Sequence, residues 1–364
     1  MITSSEAPQA FFDGSFLTNK SGIGRDSRNF LKAATNVYGA NLRVIYPRLN
    51  WNLKFGLSDD PVSSANRKFS NLFSYIFGQR FLQLDQNAIY LQSHLYGPIA
   101  KGSGLISIIR VHDVFPITNS DWFRKISVKL FSTFFNQIPK DTTLLCNSKF
   151  THDQVLTLRS DFTDLRIAYC PVGIPVSEIC NTCQLCRTFD AHQSQYFITI
   201  GTVEPRKNYR RLLELWEESK RSGNNSDRLI ILGKRGWKSK KIASNINKSL
   251  SCGIEWYENS CDASLFNALK NSLGLISISR SEGFNLPVAE ARILRKPIAL
   301  SKAEVHKEIF ARDAIFIDTE SQKSFDSALK MIKQKDVPIQ SNELVYEFST
   351  AIKKMEDILK SFIQ

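Results

Sequence analysis

The chain has 364 residues, enough for two domains of ordinary size that each bury their own core. Hydrophobic residues make up 42% and charged residues 23%, which is typical of a soluble globular protein, and no run of about 18 uncharged apolar residues predicts a membrane span. The formal net charge of +13 favours an anionic partner, which charge alone does not identify as nucleic acid, acidic membrane or phosphorylated substrate. The N-terminal segment lacks the basic and then apolar layout of a secretion signal, so we expect a cytoplasmic protein.

Three of the seven cysteines form a C-x2-C-x2-C run, and a fourth lies upstream of it: Cys180, Cys183, Cys186 and Cys170. Four thiolates can bind zinc, but the usual zinc site separates two cysteine pairs by a longer loop. We therefore expect reduced cysteines in a linker, with a metal site as the alternative.

The first half of the chain alternates apolar strands with helical patterns. Gly22 and Gly24 open a predicted helix that runs to about Tyr38, and Ser148 is a predicted cap for a helix that begins at Lys149. Glycines at such a turn either let the backbone approach a ligand or simply connect strand to helix. The predicted strands cover residues 11–16, 42–46, 88–92, 105–111, 142–146 and 165–170.

His112 directly follows the strand over residues 105–111, at its carboxyl end. Ligands of open α/β sheets bind at that edge. A lone histidine is more often structural, but one at the tip of a buried strand is a ligand candidate.

Two segments interleave phenylalanines with basic residues, 67–84 and 121–140. We interpret both as helices. Such a helix either lies on an anionic membrane or turns its aromatic side chains to the domain core and its lysines to water. The sequence leaves both alternatives open, the membrane contact mainly for the second helix.

The second half also alternates strands and helices, with strands near residues 197, 229, 254, 274, 298 and 315. This spacing predicts a doubly wound sheet. A segment of weak periodicity, which holds the cysteine run, separates the halves and reads as a linker. The predicted organisation is an N-terminal domain over 1–176, a linker over 177–195, a second domain over 196–340 and a C-terminal helix over 341–364.

Two stretches of the second half join an apolar strand to a helix through a polar turn. The first is Glu-Pro-Arg-Lys-Asn (204–208), which places Arg206 and Lys207 beside a helix start. The second is Ser-Glu-Gly-Phe-Asn-Leu-Pro-Val-Ala-Glu (281–290), in which Glu282 and Glu290 are eight residues apart. Two fixed cations near helix N-termini can neutralise a diphosphate without a metal. Two carboxylates at this spacing can hold different hydroxyl groups of one ligand.

These motifs resemble the retaining nucleotide-sugar glycosyltransferases of family four, which have the GT-B fold. Four further matches to the family precede these motifs in the expected order, at residues 20–25, 111–116, 146–151 and 171–175. The resemblance therefore covers about residues 10 to 335. It implies an α/β protein with two Rossmann-like doubly wound domains facing a central cleft. It also implies a C-terminal helix that packs back on the first domain, which lies on the acceptor side.

The resemblance also assigns roles to individual residues. It implies that His112 and Glu282 contact the donor sugar. It implies that Arg206 and Lys207 neutralise the diphosphate. It also implies that the transferred sugar retains its anomeric configuration. Glu290 is implied to bind the ribose, and Tyr257 and Glu258 the base. The implied donor-binding set is Gly22, Gly24, Arg206, Lys207, Gly233, Tyr257, Glu258, Gly283, Phe284, Asn285, Leu286 and Glu290.

The expected partners are a nucleotide-sugar donor and a lipid-linked or oligosaccharide acceptor, with contact to an anionic inner membrane face as a further expectation. We expect no metal or other cofactor, since no Asp-x-Asp motif occurs, and no nucleic acid. The members most similar in these motifs favour mannose from GDP-mannose for O-antigen or exopolysaccharide synthesis. The alternatives are a UDP- or dTDP-sugar donor, or a basic protein that binds nucleic acid or acidic polymer without turnover.

The chain departs from the family pattern at four places. Thr202 stands where many members have arginine, Asn285 and Arg295 stand where glycine is common, and residues 310–314 lack the customary glycine. Together these departures leave the choice of donor open.

Overall fold

The computed structural model describes residues 8–17, 19, 22–46, 56–57, 81–84, 87–96, 99–162, 167–170, 172, 195–258, 260–334 and 348–363. The chain divides into two compact units. Unit 1 comprises Met1–Asp121, Lys125–Gly173 and Phe348–Gln364, and unit 2 comprises Trp122–Arg124 and Ile174–Glu347. The predicted linker falls outside the described residues except for Gln195.

The elements alternate between strand and helix through most of the described chain. The strands are β1 (Ala10–Asp13), β2 (Leu42–Tyr46), β3 (Gly56–Leu57), β4 (Phe81–Gln83), β5 (Ile89–Gln92), β6 (Ile99–Lys101), β7 (Ile106–Val111), β8 (Thr143–Cys146), β9 (Ile167–Tyr169), β10 (Tyr196–Ile200), β11 (Arg228–Leu232), β12 (Ile254–Tyr257), β13 (Leu275–Ser277), β14 (Ile298–Ser301) and β15 (Ala314–Ile317). The helices are α1 (Gly22–Tyr38), α2 (Phe115–Thr118), α3 (Lys125–Gln137), α4 (Lys149–Leu158), α5 (Tyr209–Arg221), α6 (Lys240–Lys248), α7 (Asp262–Asn271), α8 (Leu286–Ile293), α9 (Glu304–Phe310), α10 (Gln322–Lys333) and α11 (Phe348–Lys360).

Unit 1 is built on a seven-stranded sheet of order β3-β2-β1-β5-β7-β8-β9. Its strands pair in parallel, except that β3 pairs with β2 in antiparallel fashion. Helix α11 packs against α1, and Asn36 Nδ2 donates to Glu356 Oε1 at 2.7 Å. Its buried Ile352, Met355 and Leu359 join the core formed by β1, β5 and α1. The last helix of the chain is therefore part of unit 1.

Unit 2 is built on a six-stranded parallel sheet of order β12-β11-β10-β13-β14-β15. Its central strands are apolar runs such as Tyr-Phe-Ile-Thr-Ile (β10), because helices cover both faces of such a sheet and bury every side chain. The largest side chain of the core is Trp216 on α5, which packs edge-on against Phe197 at 6.0 Å between ring centroids.

Several predicted boundaries hold and others were wrong. Ser148 caps α4, since its hydroxyl accepts from the Thr151 N–H at 3.0 Å. The first strand ends at Asp13 rather than Phe16, because the Asp13 carboxylate caps a 3-10 turn by accepting from the Ser15 N–H at 2.9 Å. Cys261 caps α7, since its Sγ accepts from the Ser264 N–H at 3.4 Å.

Of the two basic and aromatic segments, the described part of the first differs from the predicted helix, and the second is helical as predicted. Of the first, only residues 81–84 are described, and Phe81–Gln83 form strand β4 rather than a helix. In the second, the helix is α3, and its Phe131, Phe134 and Phe135 are buried in the core. The aromatic side chains of α3 therefore serve packing. Within the described ranges, no helix combines the length and the apolar character that a membrane crossing requires.

Candidate active site

The two predicted motifs of unit 2 meet at the point where the sheet reverses its strand order. From β10 the chain moves outward through β11 and β12, whereas β13, β14 and β15 extend on the other side of β10. Such a switch point opens a crevice at the carboxyl ends of the strands, where ligands bind. Motif 204–208 follows β10 and motif 281–290 follows β13, and the Arg280 N–H donates to the Arg206 carbonyl at 2.9 Å. The fold thus brings the motifs into direct contact.

Four charged side chains form an ion-paired group at this switch point, which we call the Glu282 cluster: Glu204, Arg206, Lys207 and Glu282. The Arg206 guanidinium pairs with Glu204 Oε1 at 2.7 Å and with Glu282 Oε2, and it also donates to the Ser281 carbonyl at 3.1 Å. Lys207 Nζ lies 2.6 Å from Glu282 Oε1. The side chains of Arg206 and Lys207 are 14% and 10% exposed, so both are largely buried but still reach solvent.

The two carboxylates of the Glu282 cluster differ in electrostatics. Burial raises the pKa of Glu282, but the charges of Arg206 and Lys207 outweigh burial and lower that pKa to about 2. Glu282 is therefore ionised at neutral pH. Burial raises the pKa of Glu204, and Arg206 only partly opposes this shift. Glu204 is therefore the more easily protonated of the two.

The backbone around 204–208 explains how both cations reach one carboxylate. Pro205–Lys207 form a 3-10 turn, Asn208 takes a left-handed conformation at φ 57°, and α5 begins at Tyr209. Arg206 and Lys207 thus precede the helix rather than open it. The Tyr209 hydroxyl donates to the Gly201 carbonyl at 2.8 Å and ties the helix start to the end of β10.

The remaining residues of the second motif are mostly buried around the start of α8. Gly283, Phe284 and Asn285 are buried, Leu286 begins the helix, and Glu290 is fully buried. Asn285 and Arg295 adopt positive φ values of 72° and 53°. Positive φ favours glycine. These two departures from the family's glycines therefore keep a glycine-like backbone.

Three further predicted donor contacts lie apart from the Glu282 cluster. Gly233 follows β11, and a Cβ there would lie 1.9 Å from the Gly201 carbonyl oxygen, so contact between strand ends already requires glycine. Tyr257 is the last residue of the edge strand β12, and Glu258 directly follows it. The Tyr257 hydroxyl donates to Glu255 at 2.6 Å, and Glu258 pairs with Arg235 at 2.8 Å.

In unit 1, His112 lies beside the buried ion pair of Asp26 and Arg110. Arg110 donates to Asp26 Oδ2 at 2.7 Å and to the Cys170 carbonyl at 2.7 Å. The Nδ1 atom of His112 lies 3.6 Å from Asp26 Oδ2, and its Nε2 lies 3.1 Å from the Ser93 carbonyl, which can only accept. Burial lowers the pKa of His112 to about 4 although Asp26 opposes the shift, so the ring is neutral at pH 7.

Gly22 and Gly24 open α1 as predicted. A Cβ on Gly24 would lie 1.8 Å from the Asn19 carbonyl oxygen. The backbone turn alone therefore requires glycine at position 24, and a ligand is not needed to explain it.

Unit 1 has its own switch point, between β1 and β5, and buried polar side chains collect there. We call them the Asp13 cluster: Asp13, Gln92, Ser93 and His94. Within the described part of the chain, Asp13 Oδ2, Gln92 Oε1, Ser93 Oγ and both ring nitrogens of His94 have no hydrogen-bond partner. His94 Nε2 lies 3.9 Å from Asp13 Oδ2, and burial lowers the pKa of His94 against the opposing effect of Asp13.

Sequence reasoning assigned no role to several residues that the structure places at these sites. Glu204 lies in the motif over residues 204–208, but a glutamate two residues before an arginine does not by itself indicate that the two side chains pair. Arg110 carries a usable signal, because a charged residue inside the apolar run Ile-Ser-Ile-Ile-Arg-Val requires a buried partner. His306, whose contacts are described below, has no such signal in the sequence.

The described residues contain no group of three or more His, Cys, Asp or Glu side chains arranged to hold a metal ion. Cys170 is buried beside α11. Cys180, Cys183 and Cys186 lie outside the described residues.

Two doubly wound units, the second with paired cations and a buried carboxylate at its switch point, agree with the predicted GT-B fold. The structure of WaaG, a glycosyltransferase involved in lipopolysaccharide biosynthesis, matches over 96% of this chain and 95% of that chain with a TM-score of 0.59 and 14% identity. At that identity the match establishes the fold. Residues 188–349, which carry both motifs of unit 2, match the family model of glycosyl transferases group 1. The predicted fold class and enzyme class are confirmed.

Two mannosyltransferases are similar in sequence to parts of this chain. The serotype-specific mannosyltransferase WbdA of Escherichia coli is 26% identical over 267 residues, which are 66% of this chain and 32% of the relative. The O-antigen chain mannosyltransferase RfbU of Salmonella typhimurium is 24% identical over 149 residues, 39% of each chain. The matched regions thus span only about a third of these relatives' own length.

Proposed function

We propose that this protein transfers mannose from GDP-mannose to a hydroxyl of a lipid-linked or growing polysaccharide, with retention and without a metal. The observation that carries the proposal is the Glu282 cluster, which sets two partly open cations beside an ionised carboxylate at a switch point. The similarity to two mannosyltransferases supports the choice of mannose.

The cations serve the leaving group. Cleavage of a nucleotide sugar builds negative charge on the diphosphate, and fixed donors aimed at that charge stabilise the transition state. Arg206 and Lys207 are held in place by carboxylates before the donor binds, and the donor's phosphates replace part of these contacts. Because the positive charge comes from side chains, the reaction needs no divalent cation.

The carboxylates serve the sugar and the ribose. Glu282 stays ionised at neutral pH and can accept hydrogen bonds from sugar hydroxyls. For Glu290 and His112 we retain the roles that the family resemblance implies, contact with the ribose and with the donor sugar. Retention follows a front-face displacement in which the leaving phosphate takes the acceptor's proton, so no separate general base is required.

For the acceptor we favour the Asp13 cluster. Buried polar atoms without partners cost free energy, and a ligand rich in hydroxyl groups supplies both donors and acceptors to satisfy them. Its position at the switch point of unit 1 agrees with this role. Asp13→Asn should raise the KM for the acceptor while GDP binding stays unchanged.

Membrane contact of α3 is a weaker part of the proposal. Its aromatic residues are buried, and the exposed side chains at its start are Arg124, Lys125, Ile126 and Lys129. Three cations around one exposed isoleucine suit a transient contact with anionic lipid. Sedimentation with vesicles of anionic and of neutral lipid tests this contact.

The first experiment is a thermal-shift panel with EDTA present, using GDP, UDP, dTDP and their common sugar conjugates. A ligand at a hundred times its Kd adds about 2.7 kcal/mol to stability. We expect a shift with GDP compounds and its loss in Glu290→Ala. If UDP or dTDP compounds give the shift instead, the assigned donor changes to a UDP- or dTDP-sugar. If no nucleotide gives a shift and the protein binds polymer in a salt-sensitive way, the result favours a binding protein.

A further inference from the structure

The loop that carries Glu282 is fixed at both of its ends by side chains from later elements. At its start, the Ser301 hydroxyl, at the end of β14, donates to the Ser279 carbonyl at 2.5 Å. At its end, Asn285 Nδ2 donates to Ser277 Oγ at 3.0 Å and to Nε2 of His306 on α9 at 2.8 Å. Between these two points lie Glu282 and Gly283.

His306 links the two attachment points. Its Nδ1 lies 3.0 Å from the Ser301 carbonyl and 3.3 Å from the Ser301 hydroxyl. A carbonyl only accepts, so Nδ1 carries the proton, and Nε2 is then free to accept from Asn285. The imidazole is fully buried, and burial lowers its pKa although Glu282 opposes this, so the neutral ring that this pattern needs is the stable form.

We propose that His306 is a positioning residue for glycosyl transfer, which acts through Asn285 to hold Glu282 against Arg206 and Lys207. The linked side chains form what we call the His306 network: Ser277, Asn285, Ser301 and His306. The proposal rests on the proposed function, because it names a residue that orients the carboxylate of that same site.

The conformation of Asn285 gives the physical reason for such a network. Its φ of 72° and ψ of 66° lie in the left-handed region, which side-chain-bearing residues adopt reluctantly. Asparagine tolerates this region, and two hydrogen bonds from its amide fix the peptide at the start of α8. A glycine would adopt this backbone without strain but would have no side chain to reach His306. The conformation of Asn285, and through it the position of Glu282, therefore depends on His306, which lies 21 residues later in the chain.

The test is a double-mutant cycle of His306→Phe and Asn285→Gly. His306→Phe removes both ring nitrogens. Asn285→Gly removes the side-chain amide and leaves the left-handed backbone unstrained. We expect each single variant to lower kcat for mannosyl transfer about 10-fold or more, with GDP affinity within threefold of wild type. The double variant should be no slower than the slower single variant. Multiplying losses would show that His306 does not act through Asn285 and would overturn the proposal.

Two matched variants separate positioning from loss of stability. Phe310→Leu removes a buried ring on the same helix, 6.4 Å from the His306 ring, and should lower the melting temperature while kcat stays within threefold. His306→Gln restores an acceptor near Nε2 and should recover much of the rate. Equal kcat losses in Phe310→Leu and His306→Phe would contradict the proposal, as would failure of His306→Gln to exceed His306→Phe.

Hydrogen exchange of residues 279–285 provides a readout without turnover. We expect faster exchange there in His306→Phe and wild-type exchange in Phe310→Leu. If wild type transfers no sugar, the proposed function fails while the exchange result still decides whether His306 fixes the Glu282 loop. If wild type is active and the loop exchanges normally in His306→Phe, the positioning role fails alone.

Discussion

Arg110 in unit 1 and Arg206 in unit 2 each pair with a carboxylate, and the two arginines differ in their remaining partners. In unit 1, Arg110 is fully buried and gives its remaining donors to the carbonyls of Cys170 and Cys146. In unit 2, Arg206 is partly exposed and its partners are mainly the side chains of Glu204 and Glu282. Backbone carbonyls fixed in the sheet cannot move away, whereas carboxylate side chains can.

The difference shows that the surroundings of an ion pair decide its role. Arg110 joins Asp26 on α1 to the ends of β8 and β9, so the pair holds elements of unit 1 together. Arg206 and Lys207 meet carboxylates at an open switch point, where an incoming phosphate can compete. We therefore assign stability to the Arg110 pair and ligand exchange to the Glu282 cluster, and four predictions test this contrast.

The largest expected effect is on the folding of unit 1. Asp26→Ala leaves the Arg110 guanidinium buried without its counter-charge, and we expect a loss of about 3–5 kcal/mol in the free energy of unfolding. Urea denaturation measures it. Adding Arg110→Met to Asp26→Ala should recover part of the loss, and a loss below about 1 kcal/mol in the single variant would contradict the structural role.

The second effect is on catalysis in unit 2. Lys207→Ala removes one cation from the leaving diphosphate, so we expect kcat to fall about 10²–10³-fold, similar to loss of one transition-state donor elsewhere. The free energy of unfolding should change by only about 1 kcal/mol, because Arg206 still pairs with Glu282. Turnover with GDP-mannose and a urea melt of the same preparation measure both. Unchanged turnover would remove Lys207 from the site.

The third effect is a pH dependence from His112, beside Asp26. Its pKa is about 4 when folded and about 6.5 when unfolded, so between these pH values the unfolded chain binds more protons. The free energy of unfolding should therefore fall as pH drops from 6.5 to 4, with up to about 3 kcal/mol due to this residue. Urea melts at several pH values should show a shallower slope in His112→Gln. His94 and His306 contribute in the same direction, so the slope should not vanish.

The smallest effect sets a baseline for exposed pairs. Arg210 and Glu214 form an i,i+4 pair at 2.9 Å on α5, with side chains 69% and 44% exposed. Such pairs contribute about 0.3–0.5 kcal/mol, and alanine is itself a good helix former. Arg210→Ala should thus change the free energy of unfolding by less than about 0.5 kcal/mol. A loss comparable to that of Asp26→Ala would remove the contrast between buried and exposed pairs.

Much of the fold could be predicted because apolar runs and turn residues are local signals. The runs over β10, β11 and β14 stand out as buried strands, and Pro287 marks the first turn of α8. Motifs after successive strands also place Arg206 and Glu282 at one edge of a parallel sheet. The fold class follows from such patterns, and the comparisons confirm it.

The rest depends on contacts that have no local signal. Nothing around Glu204 predicts that it shares Arg206 with Glu282, and nothing around His306 predicts a bond to Asn285, because strand order decides both. The pattern of α3 offered both a core and a membrane role for its aromatic side chains, and only the structure shows that Phe131 and Phe135 pack in the core. The catalytic and donor-binding roles of the predicted site residues remain predictions for the experiments above.

The Glu282 cluster is balanced in charge, since two carboxylates match two cations. When a diphosphate draws Arg206 away, Glu204 is left buried with a weakened partner, and its pKa, already raised, rises further. Under the proposed function, nucleotide binding would then be coupled to proton uptake, so nucleotide affinity would fall as pH rises, and the heat of binding would depend on the ionisation enthalpy of the buffer. The protein would thus release spent nucleotide more readily in a more alkaline medium.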